Sequence, residues 1–413
     1  MTGFYRQDAS LVCDGVPLAP IADAHGTPLY VYSAATIAAR YTAIDRAFAG
    51  YPHSIHYALK ANSTLAIARL LHSLGSSADA NSAGEIDVAL RAGFEPSQIV
   101  FTGVGKTQAE LTYAVTVGIK AINVESAGEL ARVDAIGRSR GVQVPVALRI
   151  NPDINARTHS KISTGLKSNK FGIAFDRVKG LVREARDFTG VRISGLHIHI
   201  GSQITDLGPL TSAARAVAGL ARELRDAGTP IEHLDLGGGL GVSYDGSPVP
   251  SADDYAAALL PIVRDSGFAI VLEPGRQIMA PAGVLLTRIV DVKPKDDGRR
   301  FVIMDAGMTE FIRPMMYGAF HRIEPVVDRD APPVIADIVG PLCESSDTLG
   351  TDRSVRDPKV GDLYAVMDLG AYGLVMASNY NRRLMPAEVL VEDGAARLIR
   401  RRQTIDDLLA LEV

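Results

Sequence analysis

Residues 54–80, SIHYALKANSTLAIARLLHSLGSSADA, hold the pattern that decides the fold. An apolar run, SIHYAL (54–59), gives way to a polar break. An Ala- and Leu-rich segment with apolar residues at helical spacing follows, then a Gly turn and a second short run, SSADA (76–80). This is a strand–helix–strand unit. Outward from it the alternation recurs, with strand candidates QIVFTG (98–103), KAINVE (120–125), VPVALRIN (144–151), ISGLHIHI (193–200), EHLDLGG (232–238) and FAIVLEP (268–274). Segments such as ELTYAVTVG and LTSAARAVAGLARELRDAG lie between them and carry apolar residues at helical spacing. Upstream, the strand-like LYVYS ends at Ser33, a residue suited to cap the amphipathic SAATIAARYTAIDRAF. Eight repeats of strand and helix over about 250 residues predict an α/β chain whose residues 27–280 form a (β/α)8 TIM barrel. Periodicity alone does not separate that barrel from a doubly wound open sheet.

Beyond residue 281 the pattern changes. VLLTRIVDVKP, RRFVIMDAG, PVIADIVGP, DLYAVMDLG and AEVLVEDGAARLIRRR read as Val- and Ile-rich strands parted by Pro, Gly and Asp turns, and Asp393-Gly394 marks a hairpin. TIDDLLALE reads as a short capped helix. Residues 281–413, joined by 1–26, are therefore expected to form a second, β-rich domain, sandwich- or barrel-like.

The 413 residues, at about 150 per domain, suit two or three domains. With 47% hydrophobic and 22% charged residues the chain is neither disordered nor collagen-like. Its 43 Lys+Arg against 47 Asp+Glu give a net charge of −4, no basis for nucleic acid or an anionic membrane as main partner. Cys13 and Cys343 lie far apart without metal spacing, which favours a reducing compartment. MTGFYRQDAS lacks the basic and apolar regions of a secretory signal, and no apolar run reaches the ~18 residues of a membrane span, so a cytoplasmic protein is expected.

In a barrel of this kind the active site forms at the carboxyl ends of the strands. Read in order, those ends present Lys60, Asp79, Arg149 with Asn151, His197 with His199, Gly237-Gly238-Gly239, and Glu273 with Arg276. A lysine against an apolar barrel loses hydration, which lowers its pKa and makes its amine nucleophilic toward carbonyls; taken singly it reads better as a snorkelling surface lysine. The triple glycine lets backbone N–H groups approach an anion, though taken singly it could be a tight turn. Its place after the seventh strand is one where such barrels bind phosphate. The two imidazoles of HIHIGSQ are read as facing opposite sides of one strand, one flat against a planar cofactor and the other in the core. No further ligands at zinc spacing accompany them, so no metal is expected. Glu273 ends a buried strand and needs a cation, either a protonated pyridine nitrogen or Arg276. An amine for an aldehyde, a glycine cradle for a phosphate, a ring to stack and an acid for a nitrogen together describe pyridoxal 5′-phosphate.

The longer strings YALKAN, KISTGLKSNKFGI, GLHIHIGSQ, DLGGGLG, EPGR, AGMTEFIRPMMYGAFH, GPLCESSD and GAYG, running over nearly the whole chain, resemble the meso-diaminopimelate decarboxylases, fold type III enzymes of the alanine-racemase-like class. The resemblance implies pyridoxal phosphate-dependent release of CO2 from meso-2,6-diaminopimelate to give L-lysine, the last step of bacterial lysine synthesis. It implies Lys60 as the lysine that attaches the cofactor, His199 stacked on its ring, and Glu273 on its nitrogen, with Asp79 nearby. Ser202, Gly237, Gly238, Gly239 and the backbone of Gly275 and Arg276 would hold the phosphate. Arg276, Arg313 and Tyr317 are similar to substrate-binding residues, and Tyr372 to one touching both substrate and cofactor. Cys343, as proton donor, and Glu344, binding the distal ammonium, would come from the partner subunit of a homodimer. The chain departs from the family where Asn381-Arg382-Arg383-Leu384 replaces a usual Ser-Arg-Pro, and ADANS (78–82) is looser than the usual form. Two alternatives stand beside it: a decarboxylase acting on ornithine or arginine, which shares the lysine and glycine elements, and a non-catalytic homologue that binds a partner protein, a kind that tends to lose the lysine or phosphate-binding residues, all present here.

Overall fold

The computed structural model describes residues 3–156 and 158–413, and in it eight parallel strands form a ring. They are β1 (His53–Ala58), β2 (Ser77–Ala80), β3 (Ile99–Phe101), β4 (Ala121–Val124), β5 (Val144–Asn151), β6 (Val191–Ile198), β7 (His233–Asp235) and β8 (Ala269–Leu272). Each pairs with the next, and β8 returns to β1 through Ile270 opposite His53, so the ring of eight is closed. The closed ring excludes the open doubly wound sheet. Most of these strands are buried on both faces, which is why they read as near-continuous apolar runs.

The intervening helices are punctuated by their sequence. Ser82 and Ser126 accept the Glu85 and Glu129 N–H groups, and Thr107 forms a reciprocal cap with Glu110. Gly93, Gly118 and Gly141 end those three helices in the left-handed conformation.

The chain divides into two compact units, Arg40–Val242 with Pro248–Gln277, and Met1–Ala39 with Ser243–Ser247 and Ile278–Val413. The barrel start expected at residue 27 is thereby displaced. Leu29–Ser33 is bonded antiparallel to Gly283–Leu286 and parallel to Ala387–Val391, inside the sheet of the β-rich unit. Its burial on both faces makes it look like a barrel strand. Ser33 nonetheless caps the following helix, accepting the Thr36 N–H at 2.9 Å.

In the β-rich unit the long strand Gly283–Pro294 is the hub, pairing along its length with Leu29–Ser33, Leu363–Val366 and Arg300–Met304. Leu29 and Val31, Val284 and Leu286, and Val389 and Val391 alternate into one core with Leu11, Leu18 and Ile21. Ala387–Glu392 and Ala395–Arg400 form the expected hairpin, with Asp393 and Gly394 both at positive φ (50° and 75°). The strand Thr348–Arg356 and the amino-terminal strands Phe4–Gln7, Ser10–Cys13 and Val16–Pro17 are additions that the sequence pattern does not announce. In the departing segment, Asn381 and Arg382 sit at φ 53° and 56°, and Arg383 donates to the Asp305 carbonyl at 2.7 Å.

Candidate active site

Lys60 lies in a single helical turn, Leu59–Ala61, directly after β1. Its Nζ is 3.5 Å from Asp79, fully buried on β2, whose Oδ2 also accepts from the Asn81 amide at 3.3 Å. Burial, then the charge of Glu273, push the Asp79 carboxyl up to about 6 despite Lys60. The turn carrying Lys60 is pressed against the EPGR segment: Ala58 N–H donates to the Pro274 carbonyl at 3.3 Å, and a Cβ on Gly275 would stand 3.0 Å from that of Ala61. A side chain at 275 would crowd these two strand ends.

Glu273 follows β8 and is 2% exposed. Its Oε2 is 3.3 Å from Nε2 of the buried His197 and 4.0 Å from Nδ1 of His199. The two histidines thus share a face, contrary to the expectation above, because side chains two apart on a strand point the same way. The ion pair with Arg276 is likewise not what Glu273 makes; Arg276 instead donates through Nε and Nη2 to Ser202 Oγ at 3.2 and 3.1 Å. Burial alone would raise the Glu273 carboxyl, but His197, Lys60 and His199 together hold it well below the ordinary carboxylate range. His199 accepts the Gly238 N–H on Nδ1 at 3.2 Å, and burial, Lys60 and Arg149 keep its imidazole well below the usual range.

The glycine turn leaves no room for side chains. A Cβ on Gly237 would meet the Ile198 carbonyl at 2.3 Å, one on Gly238 the Glu273 carbonyl at 2.2 Å, and one on Gly239 the Gly201 carbonyl at 2.5 Å. Gly237 and Gly239 are also at φ 65° and 110°. The KISTG loop braces the opposite segment. Thr164 Oγ1 donates to the His199 carbonyl at 2.5 Å, and Ser202 N–H donates to the Ile162 carbonyl at 3.1 Å.

The barrel residues Lys60, Asp79, His199, Ser202, Gly237, Gly238, Gly239, Glu273, Gly275 and Arg276 therefore fall on one end of the ring, Asp79 near the end of β2 and the others after β1, β6, β7 and β8. Asp235, 1% exposed, joins them: it accepts the Gly237 N–H at 2.9 Å, and its carboxylate lies with the His197 imidazole and the Glu273 carboxylate, one polar atom of each within 4.8 Å of the others. Neither Asp235 nor a contact from His197 to Glu273 is signalled by sequence spacing, since the three come from three strands.

On the β-rich unit, Arg313 and Tyr317 bound the short helix Arg313–Tyr317. Arg313 is 5% exposed, stacks on Tyr244 at 4.8 Å and contacts His321 Nε2 at 2.5 Å. His321 is fixed in turn by the Met367 carbonyl at 2.8 Å through Nδ1. Tyr372 is half-buried at φ 55°, a left-handed value costly for a tyrosine. Cys343 and Glu344 are exposed on a loop anchored by the buried Asp347, which accepts the Met308 and Leu342 N–H groups at 2.6 and 2.9 Å.

The barrel site suits pyridoxal phosphate on its own geometry. Glu273 Oε1 is buried without a hydrogen-bond partner, as an acceptor awaiting a ring N–H would be, and the glycine turn is closed to any Cβ.

Residues 34–280 match the family described as "Pyridoxal-dependent decarboxylase, pyridoxal binding domain". The chain is 45% identical over 412 residues to a diaminopimelate decarboxylase of Pseudomonas aeruginosa, covering 100% of this chain and 99% of that one. Among solved structures it is similar to the diaminopimelate decarboxylase of Helicobacter pylori complexed with L-lysine, with a TM-score of 0.92 and 41% identity over 96% of this chain and 99% of the other. The enzyme from M. jannaschii in co-complex with L-lysine gives 0.95 and 37%, over 100% and 99%. Among the described residues, no helix is long and apolar enough to cross a membrane.

Proposed function

The chain belongs to the diaminopimelate decarboxylases of the pyridoxal-dependent family, and from that premise we propose how its own residues release CO2 from meso-2,6-diaminopimelate to give L-lysine. Bound pyridoxal phosphate supplies a protonated ring that takes up the electron pair left when CO2 departs. The observation that carries the reading is the convergence of Lys60, Asp79 and His199 with a buried Glu273 whose Oε1 lacks a partner.

Lys60 attaches the cofactor, with Asp79 as its counter-ion. Glu273 holds a proton on the ring nitrogen, and His199 packs against the ring face. Ser202, positioned by Arg276, binds the phosphate together with the backbone of Gly237, Gly238, Gly239, Gly275 and Arg276. Because Gly237 and Gly238 already donate to Asp235 and His199, the glycine turn serves as much to exclude side chains as to donate. Arg276 and Arg313 suit carboxylates through planar, paired hydrogen bonds, Tyr317 and Tyr372 line the substrate, and Glu344 binds the distal ammonium. Cys343 gives a proton to the carbon that has lost CO2. The exposure of Cys343 and Glu344 on one loop supports a homodimer in which each subunit completes its neighbour's site. We place the enzyme in the cytoplasm, where two free cysteines are at home. Ornithine and arginine lack the distal carboxylate that an arginine recognises through paired hydrogen bonds, and are expected to be poor substrates.

Steady-state CO2 release from diaminopimelate, ornithine, arginine and lysine, with wild type and Lys60→Ala, tests this. Turnover of diaminopimelate alone, abolished in Lys60→Ala, is the expected result. Full activity in that variant, or preference for ornithine, would overturn it.

A further inference from the structure

His197 is a fully buried imidazole to which the reaction as described gives no task. Its Nε2 meets Glu273 Oε2 at 3.3 Å, while its own Nδ1 and the other oxygen of Glu273 have no hydrogen-bond partner. Asp235 stands beside both, and Lys60, Asp79, His199, His56 and His233 are other titratable groups whose charge reaches this pair. So many ionisable groups in one dry place cannot all be charged. Burial, then the charge of Glu273, hold Asp235 well above its ordinary range, so the negative charge rests on Glu273. With Nδ1 bare, the ring proton of His197 belongs on Nε2, where it is donated to Oε2.

We propose that His197 is a positioning residue: its Nε2–H fixes Oε2 of Glu273, keeps that carboxylate ionised, and thereby leaves Oε1 as the one acceptor turned to the ring nitrogen of pyridoxal phosphate. The inference rests on the reading in which Glu273 faces that nitrogen. An apolar side chain at 197 removes the Nε2–H that Glu273 Oε2 meets at 3.3 Å. The buried carboxylate then competes for the proton it should leave on the ring, and the contact that anchors the nitrogen weakens.

The test uses holoenzyme carrying ring-15N pyridoxal phosphate, and the affinity of each apoprotein for that cofactor and for an analogue with C–H in place of the ring nitrogen. Wild type and His197→Gln, which retains a donor, are expected to show the 15N shift of a protonated pyridine, and His197→Met that of an unprotonated one. Cofactor affinity is expected to fall roughly 10- to 100-fold in His197→Met, the range for loss of one charge-assisted hydrogen bond, with the analogue's affinity unchanged. A protonated nitrogen in His197→Met, or equal losses for cofactor and analogue, would overturn the proposal. An unprotonated nitrogen in wild type would overturn the role of Glu273 as well. If His197→Met does not fold, His197→Leu carries the same comparison.

Discussion

Glu85 sits in the first turn of the helix Ala83–Ala92 and accepts the Asn81 N–H at 2.7 Å. Burial, reinforced by Asp79 and opposed by that hydrogen bond and Lys60, raises its carboxyl from 4.5 to about 7. Between those values the folded protein holds a proton that the unfolded chain has released, so stability falls as pH rises through this window. The displacement corresponds to roughly 3 kcal/mol. Glu85→Gln is therefore expected to match wild type near pH 4.5 and to exceed it progressively up to pH 7 and beyond, read as the difference in thermal midpoint at each pH. A difference that does not change with pH would refute this. At this scale the strand ends are legible in the sequence, because Lys60, Asp79, His199 and Glu273 are polar residues where a barrel core wants apolar ones. His197 hides as an ordinary core histidine, and Asp235 hides in the run before the glycines. Their meaning lies in each other and in Glu273, across strands that sequence distance keeps apart.

Among the elements, the glycine turn after β7 is the tightest constraint on the site. Gly238→Ala would drive a methyl into the Glu273 carbonyl, 2.2 Å from where the Cβ must stand, and neither partner is a flexible side-chain end. The end of β8 must shift, and Glu273 with it. A loss of about 1–3 kcal/mol in stability is expected, with at least a tenfold loss of pyridoxal phosphate affinity by titration of the apoprotein; unchanged affinity would show that the turn tolerates a side chain. Strands with a clear apolar pattern were readable, VPVALRIN to its last residue, and Asp393-Gly394 announced its turn through the left-handed φ both positions need. Thr348–Arg356 escapes because TLGTDRSVR lies at the sheet's margin, with exposed polar side chains and pairing to Pro333–Val339 alone.

At the scale of the whole molecule, a site completed across a homodimer makes a sharp claim. Mixing Lys60→Ala subunits with Cys343→Ala subunits is expected to restore up to about a quarter of wild-type activity, since in randomly reassorted dimers half the molecules are mixed and each has one intact site. Mixed dimers that form without any recovery would refute a shared site. The barrel as an architecture was legible from eight repeats of one pattern, but its closure was not, because strand–helix periodicity is the same in a ring and in an open sheet. The sheet to which LYVYS belongs was equally hidden: burial on both faces is common to a barrel strand and to the middle of a covered sheet.

That placement has a consequence for how the protein is made. Leu29–Ser33 is translated before the barrel, yet the segments that flank it, Gly283–Leu286 and Ala387–Val391, are translated after it. At about 5–20 residues per second, an apolar β-prone stretch waits some tens of seconds with both edges bare while the intervening barrel is synthesised. Nascent chains of this protein are thus most exposed to aggregation, and most in need of chaperone shelter, along this early-made strand.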